Sequence, residues 1–170
     1  QKTEYAIRLS LVGSEMCIRD RSMRGIASTV SVISAKQGEE RHAMTATSFN
    51  SLSMDPPSML VCVSKEAGIH NILTKDSFFC INLLSNSQKD LADICSVSQE
   101  GETRFLNDYW EEKEDYVFAK KSLSNIFCKC TQFVEHSSHT IFIGTVKSII
   151  NNDAQSPLIY GSGKYLNKMQ

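Results

Sequence analysis

The sequence predicts a mainly β protein, a closed antiparallel barrel with short helices, on three observations. At least six short segments rich in β-branched and aromatic residues follow one another from residue 23 onward. Turn-forming residues separate them, for example the glycine of QGEER at residues 37–41. Apolar residues recur at helical spacing in only two stretches. Many strands with little helix favour a closed sheet, because closure removes exposed strand edges.

The elements of the first half follow in order. VSVISAK (30–36) and HAMTATSF (42–49) predict a hairpin with glycine at its tip. SMLVCVS (58–64) predicts a strand buried on both faces, because it is almost continuously apolar. EAGIHNILTK (66–75) predicts a short helix, and SFFCINLLS (77–85) the next strand.

The second half contains one more helix and the longest strands. SQKDLADICS (87–96) has apolar residues at helical spacing, with Ser87 as the predicted N-cap. Residues 97–121 are polar and acidic, which predicts a solvated loop. Three further strands are predicted, namely NIFCKCTQFVEH (125–136), HTIFIGTVKSII (139–150) and PLIYGSGKYL (157–166).

Composition limits the classes of partner. The chain has 170 residues, 41% of them hydrophobic and 22% charged, and a formal net charge of −1. This is the size and composition of one globular domain. Near-neutral charge argues against a nucleic-acid partner, which usually requires a basic face. No apolar run approaches the roughly 20 residues that span a bilayer, so no membrane partner is expected.

Residues 1–22 are treated apart from the domain. The segment VGSEMCIRDR, Val12 to Arg21, reads like the translation of a transposase adaptor used in sequencing libraries. We interpret residues 1–22 as non-native adaptor-derived sequence or, alternatively, as a short disordered arm. The predicted domain comprises residues 23–170. Its cysteines lie mostly inside apolar segments, as reduced core cysteines do, so a cytoplasmic location is expected.

The stretch AMTATSFNSLSMDPPSMLVCV (43–63) concentrates small hydroxyl side chains ahead of two prolines. Small residues let another molecule approach the backbone, and their hydroxyls donate to phosphate or carbonyl oxygens. The prolines restrict the exit of the loop. On the residues alone, two interpretations stay open: a ligand-free Ser/Thr-rich edge strand, or a donor-rich rim for a flat aromatic ligand that carries a phosphate.

Several motifs together resemble one known family. TATSFNSLSMDPPSMLVCVSKEAGIHNIL, FFCINLLSNSQKDLA, RF, HTIFIGTV and PLIYGSGKY are similar, in this order, to the flavin reductase-like family of the FMN-binding split barrel. The likeness is strongest to reductase components of two-component flavin monooxygenases. It implies a six-stranded antiparallel split β-barrel, a homodimer, FMN (or FAD) as flavin, and NADH or NADPH as hydride donor. It also implies a flavin-dependent oxygenase that receives the reduced flavin.

The resemblance also implies roles for residues that match the family's motifs. The flavin ring and its ribityl chain are expected at Thr47, Ser48, Phe49, Asn50, Ser51 and Ser53. The phosphate is expected at Ser64 and Lys65, and Asn82 matches a further flavin contact. The nicotinamide is expected at His139, with Tyr165 beside it. The chain departs from many relatives in having Glu66, Ala67 and Gly68 where they have Ser or Thr.

Hydride transfer between these cofactors needs no protein nucleophile or acid–base pair, so only positioning residues are expected. A flavin-binding electron carrier remains an alternative, because the same strand motif serves it. A pyridoxamine-phosphate-oxidase-like protein is a second alternative, although its basic phosphate-binding strand residues are not recognisable. Zinc at Cys128, Cys130, His136 and His139 is not expected, because C-x-C on a strand lacks the usual turn between ligands. NADH versus NADPH stays open.

Overall fold

The computed structural model describes residues 21–152 and 156–166, apart from the side chains of 98–100. The strands are β1 (Ser28–Thr29), β2 (Ser31–Gln37), β3 (Glu40–Ala46), β4 (Phe49–Met54), β5 (Pro57–Ser64), β6 (Phe78–Leu83), β7 (Trp110–Lys113), β8 (Tyr116–Ala119), β9 (Ser124–His136), β10 (His139–Asn151), β11 (Ile159–Gly161) and β12 (Lys164–Leu166). Helix α1 covers Lys89–Ser96, residues 21–24 are helical, and 3-10 turns cover Gly68–Asn71 and Ser98–Phe105. No helix within the described ranges has the length and apolarity to cross a membrane.

One antiparallel sheet dominates the molecule. Its strand order is β3-β2-β6-β9-β10-β5-β4, and the smaller sheets are β1-β11-β12 and β7-β8. The edge strands β3 and β4 are consecutive in the chain, separated only by Thr47 and Ser48, so the two edges of the sheet meet at that point. The predicted split-barrel class is confirmed, with seven strands rather than six in the main sheet.

The extra strand arises because HAMTATSF is not one continuous strand. β3 stops pairing with β2 after Ala46. The Ser48 carbonyl then accepts the Cys62 N–H at 2.9 Å, and the Ser48 hydroxyl donates to the Cys62 carbonyl at 3.2 Å. The chain therefore pairs with β2 before residues 47–48 and with β5 after them. We call residues 47–48 the Thr47–Ser48 corner.

The predicted β2–β3 hairpin is confirmed, and β9 and β10 form a second hairpin. β2 and β3 pair in register up to Gln37 and Glu40, with Gly38 at a φ of 60° in the turn. That left-handed conformation costs glycine little, which explains its place at the tip. β9 and β10 are joined by two serines, and His136 lies opposite His139 across the ladder.

Predictions for the helical segments need correction. Within 66–75 only Gly68–Asn71 is helical, as a 3-10 turn. Helix α1 begins after Gln88, not Ser87, and no side chain caps it. The Gln88 amide instead accepts from the Ser85 N–H at 3.0 Å and donates to the Lys120 carbonyl at 2.8 Å. Gln88 therefore ties the helix entry to the neighbouring loop.

The prediction of a solvated loop over 97–121 is wrong, because Arg104 and Phe105 in its first half are buried and its second half contains two strands. Strands β7 and β8 form a hairpin there, and Trp110, Val117 and Phe118 are buried. The acidic run lies on the exposed face and in the turn of this hairpin. The composition of the segment is therefore polar, although the other face of the hairpin is apolar and buried. PLIYGSGKYL is likewise a short hairpin, β11–β12, rather than one strand.

SMLVCVS forms β5 as predicted, but it is buried on only one face. Val61 and Val63 are fully buried, whereas Leu60 and Cys62 on the opposite face are half-buried. β5 therefore lies between the barrel core and a partly exposed surface.

Gly144 on β10 occurs where the core leaves no room for a side chain. A Cβ there would lie 2.6 Å from Phe79 Cζ and 2.8 Å from Cys128 Cβ, both fully buried residues. We expect Gly144→Ala to lower the free energy of unfolding by about 2 kcal/mol in urea denaturation, because overpacking displaces the ring. Adding Phe79→Leu should recover part of that loss. If the two substitutions change the free energy of unfolding in a strictly additive way, the proposed clash between a Cβ at position 144 and the Phe79 ring is contradicted.

Candidate functional site

The Thr47–Ser48 corner and strand β4 carry the predicted flavin-binding side chains in two structural roles. The hydroxyls of Ser48 and Ser53 donate within the chain, to the carbonyls of Cys62 and Asp55. In contrast, the exposed side chains of Thr47, Asn50 and Ser51 make no hydrogen bond within the described part of the chain. These three keep donors and acceptors available for a ligand.

The corner opens into a cavity of about 690 Å³, which we call the corner cleft. Three elements contribute its polar walls: the end of β3, helix α1 and the β11–β12 hairpin. The principal side chains are Thr45, Thr47, Lys89, Asp93, Tyr160, Lys164 and Tyr165. A second cavity of about 400 Å³ is lined by Thr47, Phe49 and Asn50 on one side and by Ile26, Ser28 and Thr29 on the other. The two cavities share Thr47.

Tyr165 is held in place in the corner cleft by α1. Its hydroxyl donates to Asp93 Oδ1 at 2.9 Å, and the Lys89 ammonium lies 5.5 Å from its ring centroid. Burial, and next the hydrogen bond to the Asp93 carboxylate, raise the pKa of Tyr165 to about 12. Tyr165 therefore stays neutral at physiological pH and acts as a positioned donor and aromatic surface.

The predicted phosphate residues Ser64 and Lys65 lie beside the predicted nicotinamide residue His139, at the end of β5 and the start of β10. The structure places Tyr165 in the corner cleft and not with His139. Ser64 pairs with His139 across the ladder. The Lys65 ammonium lies 2.6 Å from Glu135 Oε2, and this contact lowers the pKa of the Glu135 carboxyl. Lys65 therefore has a carboxylate partner, but both side chains are exposed and such a pair is weak in water. The exposed His139 ring has Nδ1 3.0 Å from Ser138 Oγ.

Sequence reasoning missed several residues of these sites. Lys89, Tyr160 and Lys164 lie inside the motifs FFCINLLSNSQKDLA and PLIYGSGKY, but the resemblance assigned them no role. Asp93 lies outside these motifs, and only the tertiary fold brings the four residues to the corner cleft. His70 was missed as well. Its Nε2 lies 2.8 Å from the hydroxyl of the buried Thr140, the residue that follows His139. His70 lies inside a motif that carries the resemblance, but nothing in that motif distinguishes it from its neighbours.

The prediction that Asn82 contacts the flavin needs correction. Its side chain is fully buried and uses its hydrogen-bonding groups inside the fold. The amide nitrogen donates to the Val32 carbonyl at 2.8 Å and to Ser34 Oγ at 2.9 Å. The amide oxygen accepts from the Ala119 N–H at 2.8 Å and from Asn125 Nδ2 at 2.7 Å. Asn82 therefore joins β2, β8 and β9, and it offers no surface to a ligand.

The cysteines near the zinc alternative are core residues. Cys128 and Cys130 are fully buried on β9, whereas His136 and His139 are exposed at the hairpin turn. Among the residues that the structure describes, no group of three His, Cys, Asp or Glu side chains is arranged to hold a metal ion. Burial raises the pKa of Cys128 to about 12.

Thiol reactivity should follow this burial. Cys62 is half-buried, whereas Cys80, Cys95, Cys128 and Cys130 are buried. In the native protein at about pH 8, we expect iodoacetamide to modify Cys62 at least about 100-fold faster than those four, because the thiolate is the reactive form. Peptide mass mapping with and without denaturant measures this. Rapid native labelling of Cys128 would contradict the burial.

Comparison with known proteins gives a consistent result. Residues 23–168 match the model of the flavin reductase like domain. The chain is 34% identical over 147 residues to the reductase component of the FADH(2)-dependent resorcinol hydroxylase of Rhizobium sp. (strain MTP-10005), covering 85% of this chain and 82% of that protein. It is 28% identical over 156 residues to the FMN reductase (NADH) RutF of Pseudomonas syringae pv. syringae (strain B728a), covering 89% and 85%.

A solved structure agrees with these relatives. The NADH:FAD oxidoreductase SgcE6 of Streptomyces globisporus C-1027 superposes with a TM-score of 0.81 at 26% identity, over 88% of this chain and 90% of that one. The fold, the corner and the family match therefore lead to one conclusion: the chain belongs to the flavin reductase-like domain family.

Proposed function

We propose that this chain is an NAD(P)H-dependent flavin reductase, which transfers a hydride from NADH or NADPH to FMN or FAD. The observation that carries the proposal is the Thr47–Ser48 corner. At the corner and on β4, the exposed side chains of Thr47, Asn50 and Ser51 make no hydrogen bond within the described chain. The adjoining cleft has aromatic and cationic side chains in its walls. Relatives named as an FMN reductase (NADH) and as an NADH:FAD oxidoreductase support the same reaction class.

The residues present suit a flavin. Thr47, Asn50 and Ser51 supply hydrogen bonds to its polar edge, while Ser48 and Ser53 keep β4 in the shape that exposes those donors. Phe49 packs partly into the core beside them and anchors the strand. When bound, the flavin accepts the hydride that the nicotinamide supplies, and the protein contributes positioning and electrostatics. Holding the two rings at reacting distance is the main demand on the chain.

His139 is the proposed contact for the nicotinamide, with Ser64 and Lys65 near a phosphate. Its exposed ring lies at the start of β10, opposite Ser64. His70 is hydrogen-bonded to Thr140, the residue that follows His139. We therefore assign His70 a role in positioning His139. Tyr165 lines the corner cleft and is assigned to the same substrate.

A flavin-dependent oxygenase is the proposed consumer of the reduced flavin. The relative from Rhizobium is named as the reductase component of a hydroxylase, which supports this place in a two-component reaction. A homodimer is also proposed. Leu52 and Met54 are 48% and 85% exposed on edge strand β4, and a second copy would cover them. Five free cysteines in the described chain support a reducing cytoplasmic compartment.

The test is a steady-state assay of NADH or NADPH oxidation in air with added FMN, FAD or riboflavin. A reductase consumes nucleotide only when flavin is present, and at a rate that saturates with both substrates. A protein that binds flavin yet leaves both nucleotides unconsumed would contradict the proposal and favour the electron carrier.

A further inference from the structure

Two lysines in the corner cleft carry charges that the described chain does not pair. Lys89 on α1 and Lys164 on β12 are exposed, and neither lies within 4 Å of a described carboxylate oxygen. Lys65, in contrast, is paired with Glu135. The charged residues of the cleft are these two lysines and Asp93, so its charge is positive, 2 − 1 = +1. The Lys65–Glu135 pair has no net charge, so the cleft is the more positive of the two places.

The cleft also has surfaces for the rest of a nucleotide. Tyr160 is 40% exposed and packs edge to face with Tyr165, with 5.4 Å between ring centroids, so the two tyrosines give the cleft an aromatic wall. Thr47 adds a free hydroxyl. A volume of about 690 Å³ lies within the range of small-molecule sites, roughly 300–1,000 Å³.

From these observations we infer that the corner cleft binds the phosphate group of a nucleotide substrate through Lys89 and Lys164. This inference rests on the proposed function and names the part of the substrate that the cleft takes. Both lysines stand on flexible stems and act as point charges, which suits a phosphate with several accessible oxygens. Asp93 opposes the anion, while its hydrogen bond holds Tyr165.

Removing a lysine charge and removing the Asp93 charge should change the affinity for the phosphorylated substrate in opposite directions. Lys89→Gln and Lys164→Gln should each weaken binding of the phosphorylated substrate about tenfold, because each removes one charge-assisted contact. Asp93→Asn keeps an oxygen for the Tyr165 hydroxyl but removes the negative charge, so it should tighten binding about threefold. Lys147→Gln on β10, an exposed lysine away from the cleft, is the matched control and should change nothing. All four positions are exposed, so folding should be unaffected.

Two arms of the experiment identify which substrate supplies the phosphate. In the first, FMN and riboflavin, which differ by the phosphate, are titrated by flavin fluorescence. In the second, the KM for NADH is measured with riboflavin as acceptor, so that the phosphates come from NADH alone. If the lysine variants lose affinity for FMN but not for riboflavin, the flavin phosphate lies in the cleft. If they raise the KM for NADH, the pyrophosphate of NADH lies there.

The outcomes separate the inference from the proposed function. If the wild type reduces riboflavin and FMN, but the lysine variants change neither the FMN affinity nor the KM for NADH, the inference is wrong and the reductase stands. Equal losses for FMN and riboflavin, with an unchanged KM for NADH, would also overturn it, since a phosphate contact does not affect riboflavin. A wild type that binds neither flavin nor NADH refutes both.

Discussion

Replacing Asn82 with alanine is expected to lower the free energy of unfolding by about 4 kcal/mol in urea denaturation. The substitution leaves the buried Ala119 N–H and Asn125 amide without their acceptor, and it removes both donors to β2. An unsatisfied buried polar group costs about 1–3 kcal/mol, and at least two are created. This is the largest effect on stability that we expect from a single substitution at the predicted sites.

Asn86→Ala is the matched control, because Asn86 is exposed four residues along the chain and should change stability by less than about 0.5 kcal/mol. The Asn82 variant, where folded, should keep its affinity for flavin. If the variant binds flavin more weakly while its stability is unchanged, Asn82 contacts the flavin directly, contrary to its buried position in the structure.

His139→Ala is expected to lower kcat/KM for the nicotinamide nucleotide about 100-fold, with the flavin Kd within about twofold of the wild type. The ring is exposed and lies at the start of β10, so its loss leaves the core intact. Misplacing the nicotinamide by about 1 Å is enough for a loss of this size. Stopped-flow reduction and fluorescence titration of flavin measure the two quantities.

His136→Ala provides the control, because His136 is the exposed cross-strand partner of His139. It should retain activity. Equal losses in the two variants would indicate a general effect on the hairpin, and an unaffected His139 variant would remove this residue from the proposed nicotinamide site.

The strands were predictable wherever side-chain alternation and turn residues act locally. The hairpin at Gly38 is confirmed from such signals, and the predicted strands 125–136 and 139–150 correspond to β9 and β10. The division of HAMTATSF at the Thr47–Ser48 corner was not predictable, because it depends on bonds to Cys62 in a different strand. The β7–β8 hairpin was missed because its exposed acidic residues lie together in the sequence, whereas its buried Trp110 and Val117 lie on either side of that run.

The candidate site divides in the same way. Thr47, Asn50 and Ser51 follow from a contiguous motif, and the structure leaves their side chains exposed. Asn82 matched a motif as well, but a motif does not state whether a side chain faces solvent or core. Lys89 and Lys164 lie 75 positions apart, each inside a motif that assigned it no role, and only tertiary packing brings both to one cleft.

The most direct test of the central claim is anaerobic mixing of the flavin-loaded protein with NADH, and separately with NADPH, while the yellow absorbance of oxidised flavin is followed. The reductase account predicts that at least one nucleotide bleaches the flavin within a catalytic turnover. If flavin is bound and neither nucleotide bleaches it, the account is contradicted and the chain is a flavin carrier.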